Sequence, residues 1–171
     1  MKVLIITLFL GDILFGAILE FQTLSTNFIQ TVKNKSAKEI VYKGEFKAKG
    51  KDKVLWKYQK PIVKNIYIDK NRVIIDEPDL EQAITSTLSD ELNLVKIINN
   101  SKKVATNQYV NTLENTKYTI LIENNLPKSV QYDDELGNAV SIVFSNFIKN
   151  TPINDSIFEF KIPSHYDVIR K

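Results

Sequence analysis

Two runs of alternating apolar and polar residues, joined by a short turn, constrain this chain more than any other feature of its sequence. In the first run the apolar side chains fall on one face, at Ile40, Tyr42, Phe46 and Ala48, and in the second at Val54, Trp56 and Tyr58. The turn between them reads Gly-Lys-Asp-Lys, which supplies residues suited to chain reversal. Alternation at period 2 predicts an antiparallel hairpin with one buried and one solvated face.

Length and composition predict one globular domain. A chain of 171 residues with 43% hydrophobic and 25% charged side chains can bury roughly 70% of the surface that its unfolded form exposes. The net charge of +3 comes from 23 basic and 20 acidic residues spread along the chain, so we expect no nucleic-acid partner. The sequence has no cysteine, which excludes disulfides, thiolate metal sites and lipid attachment through cysteine.

Residues 1–17 have the plan of a secretory signal peptide. Lys2 precedes an apolar run, and Gly16 and Ala17 are small residues suited to cleavage. The run is too short to span a bilayer. We therefore expect export, a signal peptide over residues 1–17 and one domain over residues 18–171, although an N-terminal apolar strand or helix that is retained would also fit.

Two segments have the spacing of amphipathic helices. Apolar residues three and four positions apart predict a helix over about 20–34, and a wider apolar arc predicts a second helix over 88–98, with Thr87 or Ser89 as its N-cap. Strand patterns occupy the rest of the chain, at 62–69, 72–76, 104–112, 117–123, 126–133 and around 140–144, with a last strand near the C-terminus.

Several short motifs, taken in order, resemble the outer-membrane lipoprotein carrier protein (LolA) family. They are G-x-F at Gly44, W-x-Y-x-x-P at Trp56, the sequence DLEQA at Asp79 and the closing F-x-F-x-x-P at Phe158, which Asp167 and Val168 follow. Each motif is weak alone, but their order and spacing are fairly specific. The resemblance runs from Phe21 to the C-terminus.

The resemblance implies an α+β fold: a highly curved antiparallel sheet that forms an incomplete half-barrel, with helices covering its concave face. It implies that an acyl-chain cavity is lined by Phe46, Trp56, Tyr58, Ile66, Ile68, Val73, Ile75, Ile120, Ile122, Val130, Tyr132, Ile142 and Phe144. It also implies that lid helices contribute Phe21, Leu24, Phe28, Val32, Leu88, Leu92, Val95 and Ile98. The family's lid arginine corresponds to Gly50 here, so the lid would be looser or held by apolar contact.

The implied function is a periplasmic carrier, expected to be a monomer, that shelters lipoprotein acyl chains. Its partners would be an ATP-driven lipoprotein-releasing complex in the inner membrane and an acceptor in the outer membrane. No catalytic residues, metal or cofactor are expected, because His165 is the one histidine and no phosphate-binding glycine motif occurs. The alternatives are a periplasmic enzyme acting on lipid or glycolipid, a lipid-binding module of the same shape, and a structural or interaction module with a fully packed interior.

Overall fold

The computed structural model describes residues 18–87 and 93–171. The predicted signal peptide, and Leu88 and Leu92 of the predicted second helix, lie outside the described residues.

Over the described residues the chain forms one twelve-stranded sheet that does not close on itself and is strongly curved. The strands are β1 (Thr23–Lys33), β2 (Glu39–Lys49), β3 (Lys53–Lys60), β4 (Lys64–Asp69), β5 (Arg72–Glu77), β6 (Gln82–Thr87), β7 (Lys102–Ala105), β8 (Gln108–Leu113), β9 (Thr116–Glu123), β10 (Leu126–Asp133), β11 (Ala139–Lys149) and β12 (Asp167–Arg170). Their order across the sheet is β12-β6-β5-β4-β3-β2-β1-β11-β10-β9-β8-β7. The described residues contain one α-helix, α1 (Leu94–Asn99), and two 3-10 turns, Pro78–Leu80 and Asp155–Phe158.

The first predicted helix is wrong, because residues 23–33 form strand β1 at the middle of the sheet. β1 pairs with β2 on one side and with β11 on the other. Leu24, Phe28 and Val32 are spaced by four, which places residues on one face of a strand as well as on one face of a helix. Nearby Thr23, Thr26 and Thr31 are β-branched residues that favour a strand.

Alternate side chains of each strand point to opposite faces of the sheet. The inner face is the face of the sheet that carries Phe28, Phe46 and Trp56. Its side chains form a continuous apolar cluster. The outer face carries the intervening side chains, such as Lys43 and Lys57. The predicted hairpin with a buried inner face is therefore confirmed, but its other face is not solvated throughout, since Leu55 is buried there.

Most predicted strands are confirmed with small shifts, and three predictions need correction. The predicted strand at 62–69 begins at Lys64. The predicted strand at 104–112 is a hairpin of β7 and β8, because Asn107 reverses the chain with a positive φ of 60°. Phe158 lies in a 3-10 turn and not in a strand, and the last strand, β12, pairs parallel to β6, so the sheet is not wholly antiparallel.

The second predicted helix is confirmed over α1. Thr87 is not its N-cap, because Thr87 ends strand β6, and the other candidate, Ser89, lies outside the described residues. Asn93 caps α1, since its side chain accepts a hydrogen bond from the backbone N–H of Lys96 at 3.0 Å. An N-cap of this kind satisfies a donor that the first helical turn leaves unpaired.

Candidate functional site

An aromatic group lies at the centre of the inner face. The ring of Phe28 meets the rings of Trp56 and Tyr58 edge to face, with both centroid distances 5.0 Å. Phe46 meets Trp56 in the same way at 4.6 Å. Tyr42 contacts Tyr58 at 5.8 Å. Edge-to-face pairs stabilise a fold by more than the burial of their apolar area alone. This aromatic group therefore joins β1, β2 and β3 into one apolar surface.

Gly44 makes this arrangement possible. It lies between Phe28 and Tyr58 in the register of the three strands. A Cβ atom at this position would lie 2.8 Å from two ring carbons of Phe28 and 2.1 Å from the backbone oxygen of Lys57. The glycine of the G-x-F motif therefore leaves room for the Phe28 ring to cross β2 and reach the aromatic rings of β3.

Helix α1 packs on the inner face through four apolar side chains. Leu94, Val95, Ile97 and Ile98 are all buried, although α1 has only six residues. An isolated helix of this length would not be stable in water. The burial of its side chains against the sheet therefore holds α1 in place.

Two asparagines add hydrogen bonds between α1 and neighbouring segments. The side chain of Asn111 in β8 donates to the backbone oxygen of Ile97 at 2.9 Å. The side-chain oxygen of Asn99 accepts from the backbone N–H of Leu19 at 2.8 Å, and its amide donates to the Leu19 oxygen at 3.3 Å. Hydrogen bonds therefore accompany the apolar contacts of α1, and how a lid would be held stays a prediction.

Gly50, at the position of the family's lid arginine, begins the turn between β2 and β3. Its φ is +58°, in the left-handed region that favours glycine. Its N–H donates to the Gln22 oxygen at 2.9 Å, and no neighbouring atom lies within 4 Å of the place where a Cβ would stand. In this chain the position serves the backbone turn.

The interior between α1 and the sheet is closed in this structure. An apolar cavity bordered by Leu24, Phe46, Val95, Ile98 and Phe144 has a volume of about 10 Å³. This space is roughly that of one water molecule. An acyl chain therefore enters this interior only if α1 or the segments around it move.

The structure brings all thirteen residues of the predicted cavity to the inner face. Ten are buried in its apolar cluster, and Ile66, Ile75 and Tyr132 pack against it half-buried. Their role in binding acyl chains stays a prediction. The four residues predicted for the first lid helix belong to the same cluster, with Leu24 and Phe28 buried and Phe21 and Val32 half-buried. Of the second set, Val95 and Ile98 lie in α1.

Several inner-face residues were not predicted as site residues. They include Val54, Tyr118, Val140, Leu94 and Ile97, all buried in the cluster. The alternation of Val54 with Trp56, and of Tyr118 with Ile120, was the signal that could have identified them. Leu94 and Ile97 belong to the apolar arc of the second predicted helix.

Tyrosines line part of the inner face, and burial raises the pKa values of two of them, Tyr58 and Tyr132. Burial raises the pKa of Tyr58 above its usual range, and the neighbouring tyrosines Tyr132 and Tyr42 add to this shift. The Tyr58 hydroxyl donates to the side-chain oxygen of Gln30 at 2.8 Å. Burial likewise raises the pKa of Tyr132 to about 12, with smaller contributions from Tyr118 and Asp134. These hydroxyls therefore add no charge to the apolar face at neutral pH.

The C-terminal segment, residues 151–166, crosses the outer face of β3 to β5. Asp155 accepts hydrogen bonds from the ammonium groups of Lys49 at 2.5 Å and Lys53 at 3.0 Å. Phe158 is buried, and Phe160 stacks on Tyr67 with ring centroids 5.2 Å apart. This segment therefore covers part of the outer face of β3 to β5 and buries Phe158 there.

The described residues hold no cluster of three or more histidine, aspartate or glutamate side chains that could bind a metal ion. Within the same ranges, no helix is long and apolar enough to cross a membrane. In the turn between β10 and β11, the carboxylate of Asp134 accepts hydrogen bonds from the backbone N–H groups of Leu136 and Asn138 and from the side-chain amide of Asn138.

The described residues thus form a curved, unclosed sheet with a large apolar inner face on which one short helix packs. The family model described as outer membrane lipoprotein carrier protein LolA matches residues 20–123. This chain belongs to that family, which is a family of carriers involved in lipoprotein transport to the outer membrane.

Curated relatives carry the name outer-membrane lipoprotein carrier protein. The Campylobacter jejuni relative is 41% identical, over 98% of this chain and 97% of its own length. That of Wolinella succinogenes is 33% identical over the full length of both chains. That of Helicobacter pylori strain HPAG1 is 36% identical over 88% of this chain and 81% of its own.

Solved structures show the same fold at low sequence identity. A LolA superfamily protein from Nitrosomonas europaea aligns with a TM-score of 0.52 at 12% identity, covering 83% of this chain and 92% of that one. An uncharacterized conserved protein from Thermus thermophilus aligns with a TM-score of 0.56 at 12% identity, covering 88% of this chain and 91% of that one. At this identity the likeness concerns the fold alone.

Proposed function

We propose that this protein is a periplasmic carrier that binds the acyl chains of lipoproteins on the inner face of its sheet and delivers them to an acceptor at the outer membrane. The observation that carries the proposal is the apolar cluster, which runs across strands β1 to β5 and β9 to β11 and is covered by one short helix. The names of the relatives support the same role.

The physical need for a carrier follows from the cost of exposing acyl chains to water. Each methylene group buried is worth about 0.8 kcal/mol, so three chains of roughly fifteen methylenes cost on the order of 36 kcal/mol when exposed. A branched and aromatic lining suits such chains because they present no polar group for specific recognition.

In this proposal the sheet acts as a half-barrel and α1 acts as part of its lid. The interior cavity of about 10 Å³ is too small for an acyl chain, so binding of a chain requires a more open arrangement. Loading displaces α1 and replaces its apolar contacts with contacts to the chains.

Loading and release then depend on partners. The sequence has no phosphate-binding glycine motif, so an ATP-driven complex in the inner membrane supplies the energy for loading. Release requires an acceptor with a higher affinity for the same chains, because transfer follows the difference in binding free energy. We expect the carrier to act as a monomer.

Capture of acylated proteins tests this proposal. The tagged protein is isolated from the periplasm of its host, and co-purifying proteins are examined by mass spectrometry for N-terminal acyl groups. Ile66→Asp places a charge on the inner face at a half-buried position and should abolish capture. Ile29→Asp makes the same change on the outer face, where Ile29 is 44% exposed, and should leave capture intact.

Circular dichroism on both variants separates loss of capture from loss of folding. If the wild type captures no acylated protein, or if a folded Ile66→Asp captures as much as Ile29→Asp, the proposal is wrong.

A further inference from the structure

A group of polar side chains lies on the inner face, towards the end of the sheet that is opposite α1. Helix α1 lies beside the β2–β3 turn, whereas Gln30 of β1 and Tyr42 of β2 stand in register near the other end of β2. Tyr58 of β3 contacts Tyr42, with ring centroids 5.8 Å apart. Burial, and then the nearby hydroxyls of Tyr132 and Tyr42, raise the pKa of Tyr58, so Tyr132 of β10 lies close to the same group. We call Gln30, Tyr42, Tyr58 and Tyr132 the polar cluster.

Three hydrogen-bond donors of the polar cluster are unused within the part of the chain that the structure describes. The Tyr58 hydroxyl donates to the side-chain oxygen of Gln30 at 2.8 Å, which orients the amide and leaves its NH₂ group without a partner there. The hydroxyls of Tyr42 and Tyr132 likewise have no hydrogen-bond partner among the described residues. Gln30, Tyr42 and Tyr132 are half-buried, and polar groups in such places are normally paired with protein, water or ligand. The polar cluster can therefore receive acceptor atoms of a ligand.

The distance between the polar cluster and α1 matches the length of an acyl chain. From Gln30 to Leu24 the inner face of β1 extends for about 20 Å, at roughly 3.3 Å per residue. One acyl chain spans half of the hydrocarbon core of a bilayer, or about 15 Å. A chain that begins at the polar cluster therefore runs along Phe28 and ends near Leu24, Val95 and Ile98, which border the small interior cavity under α1.

The donors of the polar cluster suit the linkage at the head of such a chain. The hydrocarbon offers no hydrogen-bond acceptor, but each acyl chain is joined to its protein or glycerol through the carbonyl group of an amide or an ester. Hydroxyl and amide donors satisfy a carbonyl oxygen without adding charge. An ionised carboxylate is a poorer fit, because burying a charge beside an apolar face costs far more than burying a neutral group.

We propose that the polar cluster binds the ester or amide carbonyl groups of acyl chains and thereby sets the position of the chains along the inner face. The inference rests on the proposed function, since the chains must lie on this face for their carbonyl groups to reach the cluster. It deepens that function by making the site selective for acyl linkages over plain hydrocarbon. The tyrosine hydroxyls and the Gln30 amide are the groups that determine this selectivity.

Isothermal titration calorimetry with two single-chain lipids, each below its critical micelle concentration, tests the proposal. Myristoyl lysophosphatidylcholine carries an ester carbonyl, and its tetradecyl ether analogue has a methylene group in the same place with the same head group. We expect the wild type to bind the ester about tenfold more tightly than the ether, because the ether cannot accept the hydrogen bonds of the cluster. Myristate is the third probe, because Lys64 lies over the Tyr58 ring at 4.9 Å and would favour a carboxylate if charge decided binding.

Removal of hydroxyls identifies the site. The double variant Tyr42→Phe and Tyr132→Phe keeps both rings and should lose most of the preference for the ester, while its affinity for the ether stays unchanged. The matched control, Tyr67→Phe and Tyr166→Phe, removes two hydroxyls from residues that contact Phe160 on the outer face and should keep the preference. The infrared band of the bound ester carbonyl should lie at lower frequency in the wild type than in the first variant.

Each outcome bears on the inference. Equal binding of ester and ether by the wild type overturns it and leaves the acyl-carrier proposal intact, and this comparison does not depend on the folding of any variant. A folded Tyr42→Phe and Tyr132→Phe variant that keeps the full preference also overturns it, as does myristate that binds more tightly than the ester. If the wild type binds neither lipid, the proposed function fails together with this inference.

Discussion

The ring of Phe28 lies edge-on against the ring of Trp56, with centroids 5.0 Å apart and an interplanar angle of 77°. The two residues belong to β1 and β3, and β2 runs between them. The contact crosses β2 at Gly44, where a methyl group would collide with the Phe28 ring. The packing of the inner face therefore depends on the absence of a side chain at this one position.

Gly44→Ala should destabilise the protein by about 1–3 kcal/mol, the usual cost of overpacking a filled core. The added Cβ would meet the backbone of Lys57 at 2.1 Å, and backbone cannot move aside as a flexible side chain can. Urea unfolding at equilibrium measures the change. Gly50→Asn is the control, because no neighbouring atom lies within 4 Å there and asparagine tolerates a positive φ. Equal stability of the wild type and Gly44→Ala would contradict this account.

Loss of the amide contacts to α1 should loosen the helix without unfolding the sheet. Asn111→Ala removes the hydrogen bond to the Ile97 oxygen, a contact worth about 0.5–1.5 kcal/mol. Hydrogen exchange of the α1 amides should therefore become roughly three- to tenfold faster, while exchange in β1 to β3 stays unchanged. Asn115→Ala, at an exposed position in the β8–β9 turn, serves as the control. Unchanged exchange in Asn111→Ala would show that apolar burial alone holds α1.

The buried tyrosines should make the fold sensitive to high pH. Tyr58 and Tyr132 have raised pKa values in the folded protein, about 12 for Tyr132, whereas an unfolded tyrosine titrates near about 10. The unfolded state thus releases protons first, and stability that is present below about pH 10 is lost as the pH rises through about 12. Stability measured by denaturant between about pH 9 and 11.5 should fall, and Tyr132→Phe should reduce the slope. An identical slope in Tyr132→Phe would contradict the assignment.

The part of the outer-face segment around Asp155 should loosen at low pH. Hydrogen bonds from Lys49 and then Lys53 lower the pKa of Asp155 below its usual 3.8. The contribution of the Asp155 carboxylate to stability is therefore fully present above pH 3.8, and it is lost as the pH falls through the lowered pKa. Amide resonances of residues 155–160, followed by NMR from about pH 6 to 2.5, should shift in the wild type. In Asp155→Asn these resonances should have their low-pH chemical shifts already at the upper end of this range. If the variant shows the wild-type chemical shifts there, the ion pairs of Asp155 do not hold this part of the segment.

The sequence predicted the parts of the fold whose pattern is local. The strands around Trp56, Ile66, Ile120 and Val130 alternate at period 2 and appear close to where the pattern places them. The two-residue turn at Asn124 and Asn125 has positive φ at both positions, as the Asn-Asn pair and the flanking strands indicate. Such features depend on neighbours in the chain and can be read from it.

The features that the sequence did not predict depend on contacts between distant residues. Strand β1 becomes a strand because β2 and β11 flank it, and its partners in β11 lie about one hundred residues or more further along the chain. The spacing of Leu24 and Phe28 fits a helix and a strand equally. Asp155 pairs with Lys49 across 106 positions, and no local pattern marks either residue. The closed state of the interior likewise depends on how α1 packs on strands from both ends of the chain.

The most direct test of the carrier proposal uses Trp56, the single tryptophan of the chain, which is buried in the inner-face cluster. A synthetic lipopeptide with brominated acyl chains should quench the fluorescence of Trp56 in a saturable manner, because bromine quenches only at close range. The control carries Trp56→Phe and Val143→Trp, which moves the indole to the exposed outer face, and should show no quenching. If the lipopeptide binds and Trp56 keeps its full fluorescence, the acyl chains do not lie on the inner face and the proposal is wrong.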